Sequence, residues 1–555
     1  MKTTKKVLSL MLCIIMLAST LSLAMTAFAE DGKCNCGVTP VLYIKGRTNI
    51  YKDPSLGIDS ENMAETNFSG LKDNIPEIAL NLVTTLGMGF LTDNWDAYCD
   101  AIFETVAPVY DQYKLSDEGE INNKSGIAQH WQLKDRIELC KTEEGGIKKM
   151  HTKNAKEWAQ FIQFQYDIRL DPRKNADDLN TYIEFIKEET GHDKINIVCR
   201  CEGNVIVNAY LAKYGHKSIE SLVMYNSIAM GAEIADDLYS DNVRFDPDAM
   251  NRFINTFLDT SPVMDLIKAT VNLLAFNGVL GEGLEFIEDG YYNISKNIMP
   301  RLIREIFGTC PGWWGMISPE VYEDAKAFVL LSNNEDGKYD KLIQKLDEYN
   351  EIKKKAPDLL KAAQADGVRV HILAKYGDQM YPVIENYETL GDGVVSLYKQ
   401  TFQGATASKI KGTLSDDYIA ERVEAGFGKY ISADKMVDGS TAPFADYTWY
   451  VKELRHDVYP HSVDFMVLDL FSSKDYVKAT EPFTGDHGTY TQYMLYEATF
   501  EEQSYGKVEE VGTLTPLTEE NKDVTKDTTD TTSKFPVLFS WIFALINFII
   551  SLFEK

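Results

Sequence analysis

The sequence predicts an α/β protein: a mostly parallel sheet flanked by helices, with a helical cap inserted into it. Three observations predict this class. Short apolar runs that read as buried strands alternate with amphipathic stretches of helical period, the pattern of strand–helix–strand units. One run, "KINIVCRCEGNVIVNAYLAKYG" (Lys194 to Gly215), passes from a strand through an abrupt turn straight into a helix. The alternation stops between about Ala235 and Ala365, where runs such as "PVMDLIKATVNLLAFNGVLG" read as helix, and then resumes.

In chain order, residues 1–29 read as a targeting segment. Lys2, Lys5 and Lys6 form a positive n-region, "VLSLMLCIIMLASTLSLA" an apolar region, and Ala27 to Ala29 a small-x-small cleavage site of bacterial type. Cleavage before Glu30 and export of the mature chain are expected. Pro40 to Ile44 in "TPVLYIKGRTNIY" is a buried strand stopped by Gly46. Ser60 to Lys124 reads as mostly helical, and "IAQHWQL" as a short strand or loop. "AKEWAQFIQFQYDIRLDP" is an apolar–aromatic run halted by Pro172. Leu179, Tyr182, Ile183 and Ile186 recur at i, i+3, i+4 and i+7, an amphipathic helix that Gly191 ends. "KINIVCR", "SIESLVMYNSIAMG", "GVRVHILAKYGD" and "YTWYVKELRHD" read as further strands, the last followed by the helix "SVDFMVLDLF". This reading divides the chain into a core at 30–235 and 366–475, a cap at 236–365 and an extension at 476–512.

The C-terminus carries a second address. Residues 513–534 form the linker, in which Thr518 to Lys534 is Thr/Asp/Lys-rich and is expected to be a disordered stalk. Residues 535–553, "FPVLFSWIFALINFIISLF", hold no charge and, at about 1.5 Å per helical residue, just span a hydrocarbon core. A transmembrane anchor is expected there, with the globular part outside the cytoplasmic membrane. Ser540, Ala544, Asn547 and Ser551 share one helical stripe.

The formal net charge of −28 argues against nucleic acid or anionic headgroups as main partners. Seven of the eight cysteines lie beyond the leader, and an odd number in an exported chain leaves at least one thiol unpaired. Cys34 and Cys36 have no histidine at ligand spacing, so no metal is expected there, and the chain as a whole is expected to need no cofactor.

The turn in Lys194 to Gly215 is where many hydrolases carry G-x-S-x-G with serine as nucleophile. Here Cys199, Arg200, Cys201, Glu202 and Gly203 occupy those places, which makes Cys201 the candidate nucleophile. A thiolate at 201 is favoured by the helix N-terminus and by Arg200, and opposed by Glu202. A thiol nucleophile needs a base, and the base an orienting acid, both following it in this kind of fold. Among eight histidines, His456 sits just after the strand "YTWYVKEL", where a loop residue reaches back over the sheet; His487 in "TGDHG" is the runner-up. His371 lies inside an apolar strand and reads as core, and His461 as a helix start. Two aspartates fit the acid, Asp378 at the end of "VRVHILAKYGD" and Asp392 in "LGDGVVSL".

The stretches "FQYDIRLDP", "DDLNTYIEFIKEETGHDKINIVCRCEGN", "GTCPGWWGMISPE", "GDGVVSL" and "DGSTAPFADYTWYVKELRHD" resemble the lecithin:cholesterol acyltransferase-like lipases of the α/β-hydrolase fold, over roughly Thr39 to Ser473. The resemblance implies a triad of Cys201, Asp392 and His456, with cysteine in place of the family's serine. It places the oxyanion hole at the N–H of Glu202 and that of Arg47 or Thr48. It implies a lipid-like acyl-ester substrate, hydrolysis or transfer of the acyl group to a hydroxyl, and no metal. Trp313 and Trp314 become candidates for substrate binding or for anchoring the cap. Two other classes stand beside this one: a catalytically inactive surface binding protein with the same fold, and a structural cell-envelope protein.

Overall fold

Eight strands form one sheet: β1 (Val41–Ile44), β2 (Ile162–Phe164), β3 (Ile195–Arg200), β4 (Ile219–Tyr225), β5 (Arg369–Tyr376), β6 (Thr448–Lys452), β7 (Tyr493–Gln503) and β8 (Lys507–Pro516). Their order across the sheet is β8-β7-β6-β5-β4-β3-β1-β2. Every neighbouring pair is parallel except β7 with β8. The computed structural model describes residues 38–46, 114–121, 162–240, 242, 303–380, 386–503 and 507–523, with 52–53, 58–59 and scattered positions between 81 and 137.

A parallel sheet covered on both faces needs strands that are apolar throughout, and β3 and β5 are buried at every position. Alternation of side chains then sorts residues between the two faces. Leu42, Ile44, Ile197, Cys199, Leu222 and Met224 join one core, with helices α1 (Pro172–Thr190) and α2 (Gly203–Tyr214). Tyr43, Val198, Val223 and Leu373 join the other, with Val463, Met466 and Val467 of the helix His461–Ser472.

Helix α1 forms for reasons visible in its sequence. Asp171 caps it by accepting the Arg173 N–H, Pro172 takes the first turn, and Gly191 ends it in the left-handed conformation at φ +66°. The predicted stripe Leu179, Tyr182, Ile183 and Ile186 is wholly buried. Burial of four such side chains stabilises the contact by about 1.5–3 kcal/mol each.

The order of strands puts a switch point between β1 and β3. From β1 the chain crosses outward to β2, whereas from β3 it steps the other way to β4. Ligands of open α/β sheets bind in the crevice that such a reversal leaves at the carboxyl ends of the strands. Gly46 and Cys201 follow those two ends.

Three boundaries differ from the sequence reading. The extension 476–512 is part of the sheet: β7 pairs with β6 from Tyr450↔Tyr493 to Lys452↔Leu495, and β8 closes that edge. The linker start is also ordered, since β8 runs to Pro516 and Leu517 is buried. Residues 340–365, expected in the cap, are instead the helices Asp340–Lys354 and Ala356–Ala365 packed on α2, and the second leads directly into β5. The reason is physical: Leu342, Leu346, Tyr349, Leu360 and Ala363 give these helices an apolar stripe that the α2 side of the sheet covers.

The expected leader at 1–29, the apolar centre of the cap at 243–302 and the anchor at 535–553 lie outside the described residues, as do Cys34 and Cys36. Among the described residues no helix is long and apolar enough to cross a membrane.

Candidate active site

Cys201 occupies a sharp turn between β3 and α2 with φ +48°, in the left-handed region. That conformation costs a non-glycine residue about 1–2 kcal/mol, so its surroundings must enforce it. Gly203 is one device: a Cβ there would stand 2.8 Å from the Ile44 carbonyl oxygen, so only glycine lets α2 start this close to β1. Gly46 is another, because a Cβ there would lie 2.6 Å from the Cys201 Cβ.

A third device is Asn204, fully buried in the first turn of α2. Its Nδ2 reaches the carbonyls of Cys201 at 2.9 Å, Tyr225 at 3.2 Å and Cys199 at 3.3 Å. Its Oδ1 accepts from the Cys199 thiol at 3.2 Å. Cysteine at 199 is therefore accommodated by a partner of its own. Burial pushes that thiol well above its usual range, which leaves it a packing residue.

The candidate acid and base come from loops at the same end of the sheet. Asp392 follows β5 in a turn it builds itself: Oδ1 accepts the N–H groups of Val394 at 3.1 Å and Val395 at 2.9 Å. Oδ2 meets His456 Nδ1 at 2.8 Å, and the His456 backbone N–H donates to the Asp392 carbonyl at 2.9 Å. His456 Nε2 lies 3.0 Å from Cys201 Sγ. Burial disfavours the charged ring, but the charges of Asp392 and Cys201 outweigh it and hold His456 at about 10. An imidazole so placed has its Nδ1 tied to a carboxylate and its Nε2 aimed at a thiol, the arrangement for moving a proton on and off sulfur.

The structure brings Cys201, Asp392 and His456 together and leaves the runners-up apart. Asp378 lies at the end of β5, where its backbone N–H donates to the Gly391 carbonyl at 3.1 Å and so fixes the loop that carries Asp392. His487 is engaged elsewhere, with Nδ1 2.7 Å from Asp469 Oδ1 and its ring stacked on Phe465. Glu202 is buried and follows Cys201 directly at the start of α2. Arg47 and Thr48 lie outside the described residues; the loop is described as far as Gly46, where the buried Tyr166 hydroxyl reaches the carbonyls of Lys45, at 3.0 Å, and Gly46.

Trp313 and Trp314 are core residues. Trp314 donates its indole N–H to the Gly308 carbonyl at 2.8 Å and packs edge-on to Tyr239 and Tyr322. Trp313 lies against Phe307, with ring centroids 4.6 Å apart. Trp314 is placed as an anchor: an indole needs a polar partner and a large apolar surround, and both are met inside the protein.

Arg200 points to the opposite face from the thiol's helix. It pairs with the buried Asp464 and lies over the rings of Tyr43 and Tyr459, at 4.5 and 4.3 Å. Burial pushes Asp464 up to about 7, against the pull of Arg200. Sequence reading also missed Asn204, Asn226 and Lys375. Asn226, at φ +37° after β4, has Nδ2 at 3.3 Å from both ring nitrogens of His456 and donates to the His456 carbonyl at 3.2 Å. The available signal was a polar residue inside an otherwise apolar strand or helix start, which in a buried element implies a partner. Compared with family models, curated proteins and solved structures, the chain finds no match in any of the three.

Proposed function

We propose that the protein is an acyl-ester hydrolase or O-acyltransferase with an α/β-hydrolase fold, working through Cys201, His456 and Asp392 and a thioester acyl-enzyme. The observation that carries this reading is the chain of contacts from Asp392 through the His456 ring to Cys201 Sγ, on a residue held at positive φ between strand and helix. The resemblance of the elbow and G-D-G-x-V stretches to the lecithin:cholesterol acyltransferase-like lipases supports a lipid-like ester as substrate. The leader and C-terminal apolar stretch of the sequence support an exported protein tethered to a membrane at the cell surface.

In the proposed cycle the proton shared between Sγ and Nε2 rests on Nε2, as the raised His456 requires, while Sγ attacks the ester carbonyl carbon. The carbonyl π electrons move to oxygen, where the N–H of Glu202 and one from the loop beyond Gly46 receive the charge. Collapse of the adduct breaks the C–O bond, and the departing alkoxide takes the proton from Nε2. Water, or the hydroxyl of an acceptor, then gives its proton to Nε2 and attacks the thioester. The thiolate leaves, and an acid or a new ester is released. Asp392 keeps the ring oriented and stabilises its positive charge in both steps.

Turnover of p-nitrophenyl esters of graded chain length, with and without a long-chain alcohol, tests the reading. Release that disappears in both Cys201→Ala and His456→Ala supports it. Equal turnover by the wild type and Cys201→Ala contradicts it. Absence of turnover at every chain length moves the assignment to the alternative, a catalytically inactive binding protein on the same fold.

A further inference from the structure

Residues 453–460, which carry His456, lie between β6 and the helix His461–Ser472 and belong to no helix or strand. Besides the bonds to Asn226, Asp392 and Tyr376, one side chain holds this loop at three points. Lys375, fully buried near the end of β5, directs its Nζ at three carbonyls of this loop: Arg455 at 2.9 Å, His456 at 3.1 Å and Val458 at 2.7 Å. An ammonium has three donors, so its capacity is used entirely on this loop. The same Nζ lies over the rings of Tyr459 and Tyr225, at 4.1 and 4.7 Å.

The backbone of Lys375 reaches the acid loop as well. Its N–H donates to Gln400 Oε1 at 2.8 Å, and Gln400 Nε2 donates to the carbonyls of Lys375 at 3.0 Å and Val395 at 2.9 Å. Val395 is the residue whose N–H binds Asp392. Both loops of the dyad are thus referenced to one position of β5.

Packing alone does not ask for a cation here. A buried ammonium is costly unless its surroundings compensate, and burial pushes Lys375 down to about 7. Asp392, Asp457 and Cys201 favour its charged form, while Arg200 opposes it. Asp464 feels its charge in turn.

We propose that Lys375 is a positioning residue for the base: its ammonium fixes the loop at Arg455, His456 and Val458 and so sets the His456 ring between Asp392 and Cys201. This rests on the reading of Cys201 and His456 as the reacting pair. Lys353 offers a matched control. It is also fully buried and donates to main-chain carbonyls, those of Trp314 and Ile317, in the α2-side core rather than at the loop.

The experiment compares full-length wild type, Lys375→Met, Lys353→Met and His456→Ala. It reads the pre-steady-state acylation rate with p-nitrophenyl acetate, KM, and the downfield proton resonance of the His456–Asp392 hydrogen bond, assigned by its loss in His456→Ala. Lys375→Met is expected to acylate about 10–100-fold more slowly at unchanged KM, the scale of a catalytic group misplaced by about 1 Å, and to lose that resonance. Lys353→Met is expected to keep both, whatever its stability. If Lys375→Met does not unfold cooperatively, Lys375→Gln, which keeps an amide donor without the charge, is read in its place. Wild-type acylation in the Lys375 variant, or an equal fall in Lys353→Met, overturns the proposal. Wild-type acylation in His456→Ala instead overturns the functional reading on which it rests.

Discussion

Replacing Asn204 with alanine tests whether the turn at Cys201 is enforced by its surroundings. The amide of Asn204 spans the carbonyls of Cys199, Cys201 and Tyr225 and accepts the Cys199 thiol, and all but the bond to Cys201 are buried. A net hydrogen bond is worth about 1 kcal/mol, and carbonyls left unpaired in the interior add to the loss. With two N–H groups removed, the expected fall in unfolding free energy is about 2–3 kcal/mol. The kinetic effect follows from the backbone. Cys201 at φ +48° stores about 1–2 kcal/mol that it recovers on leaving the elbow. Releasing the clamp lets that relaxation proceed, and the acylation rate should fall about 5–30-fold, the factor that 1–2 kcal/mol represents. Urea unfolding gives the first quantity and the burst of p-nitrophenol the second. A variant within about 0.5 kcal/mol of wild type that also acylates at the wild-type rate would refute the reasoning.

Three further outcomes follow from the same geometry. Asp392→Asn should slow acylation by about 10²–10⁴-fold, the range of general acid–base catalysis. It should also remove a pH window of stability: His456 is raised from 6.5 to about 10, so its contribution is full below 6.5 and is lost as pH rises through 10. Denaturation curves of wild type and variant should therefore converge above that pH. Gly46→Ala places a Cβ 2.6 Å from that of Cys201 and should cut acylation while leaving binding of a substrate analogue in place, read as a fall in kcat at constant KM. His371, inside β5 between the rings of Trp449 and Tyr476, is held neutral by burial, which lowers it to about 3. The unfolded chain takes up that proton below about 6.5, so stability is full above 6.5 and falls by on the order of 4–5 kcal/mol toward pH 3. His371→Phe should flatten that acid limb in pH-dependent unfolding.

The parts of the fold that were legible in the sequence are those where one local signal suffices. The stripe of α1 and its end at Gly191 follow from helical period and from glycine at a left-handed cap. The elbow is legible because strand, turn and helix are consecutive. The choice between Asp378 and Asp392 was not open to local reading, since both stand beside glycine in the stretch that follows β5. Only the chain's path decides which carboxylate faces His456. Strand β7 escaped because Glu497 breaks the apolar alternation, and a hairpin at the sheet edge tolerates this exposed carboxylate. Lys375 escaped for the opposite reason: a single cation in "VHILAKY" is outvoted by its apolar neighbours, and its meaning lies in a loop far along the chain. Two adjacent indoles in a turn read equally well as ligand contacts and as anchors, and the sequence does not separate the two; in the structure both are buried.

The central claim is that Cys201 carries the acyl group, and intact mass after brief exposure to a p-nitrophenyl ester tests it most directly. The account predicts one acyl adduct, mapped to the peptide containing Cys201, absent in Cys201→Ala and slow to form in His456→Ala. An adduct of the same mass that persists in Cys201→Ala would contradict it.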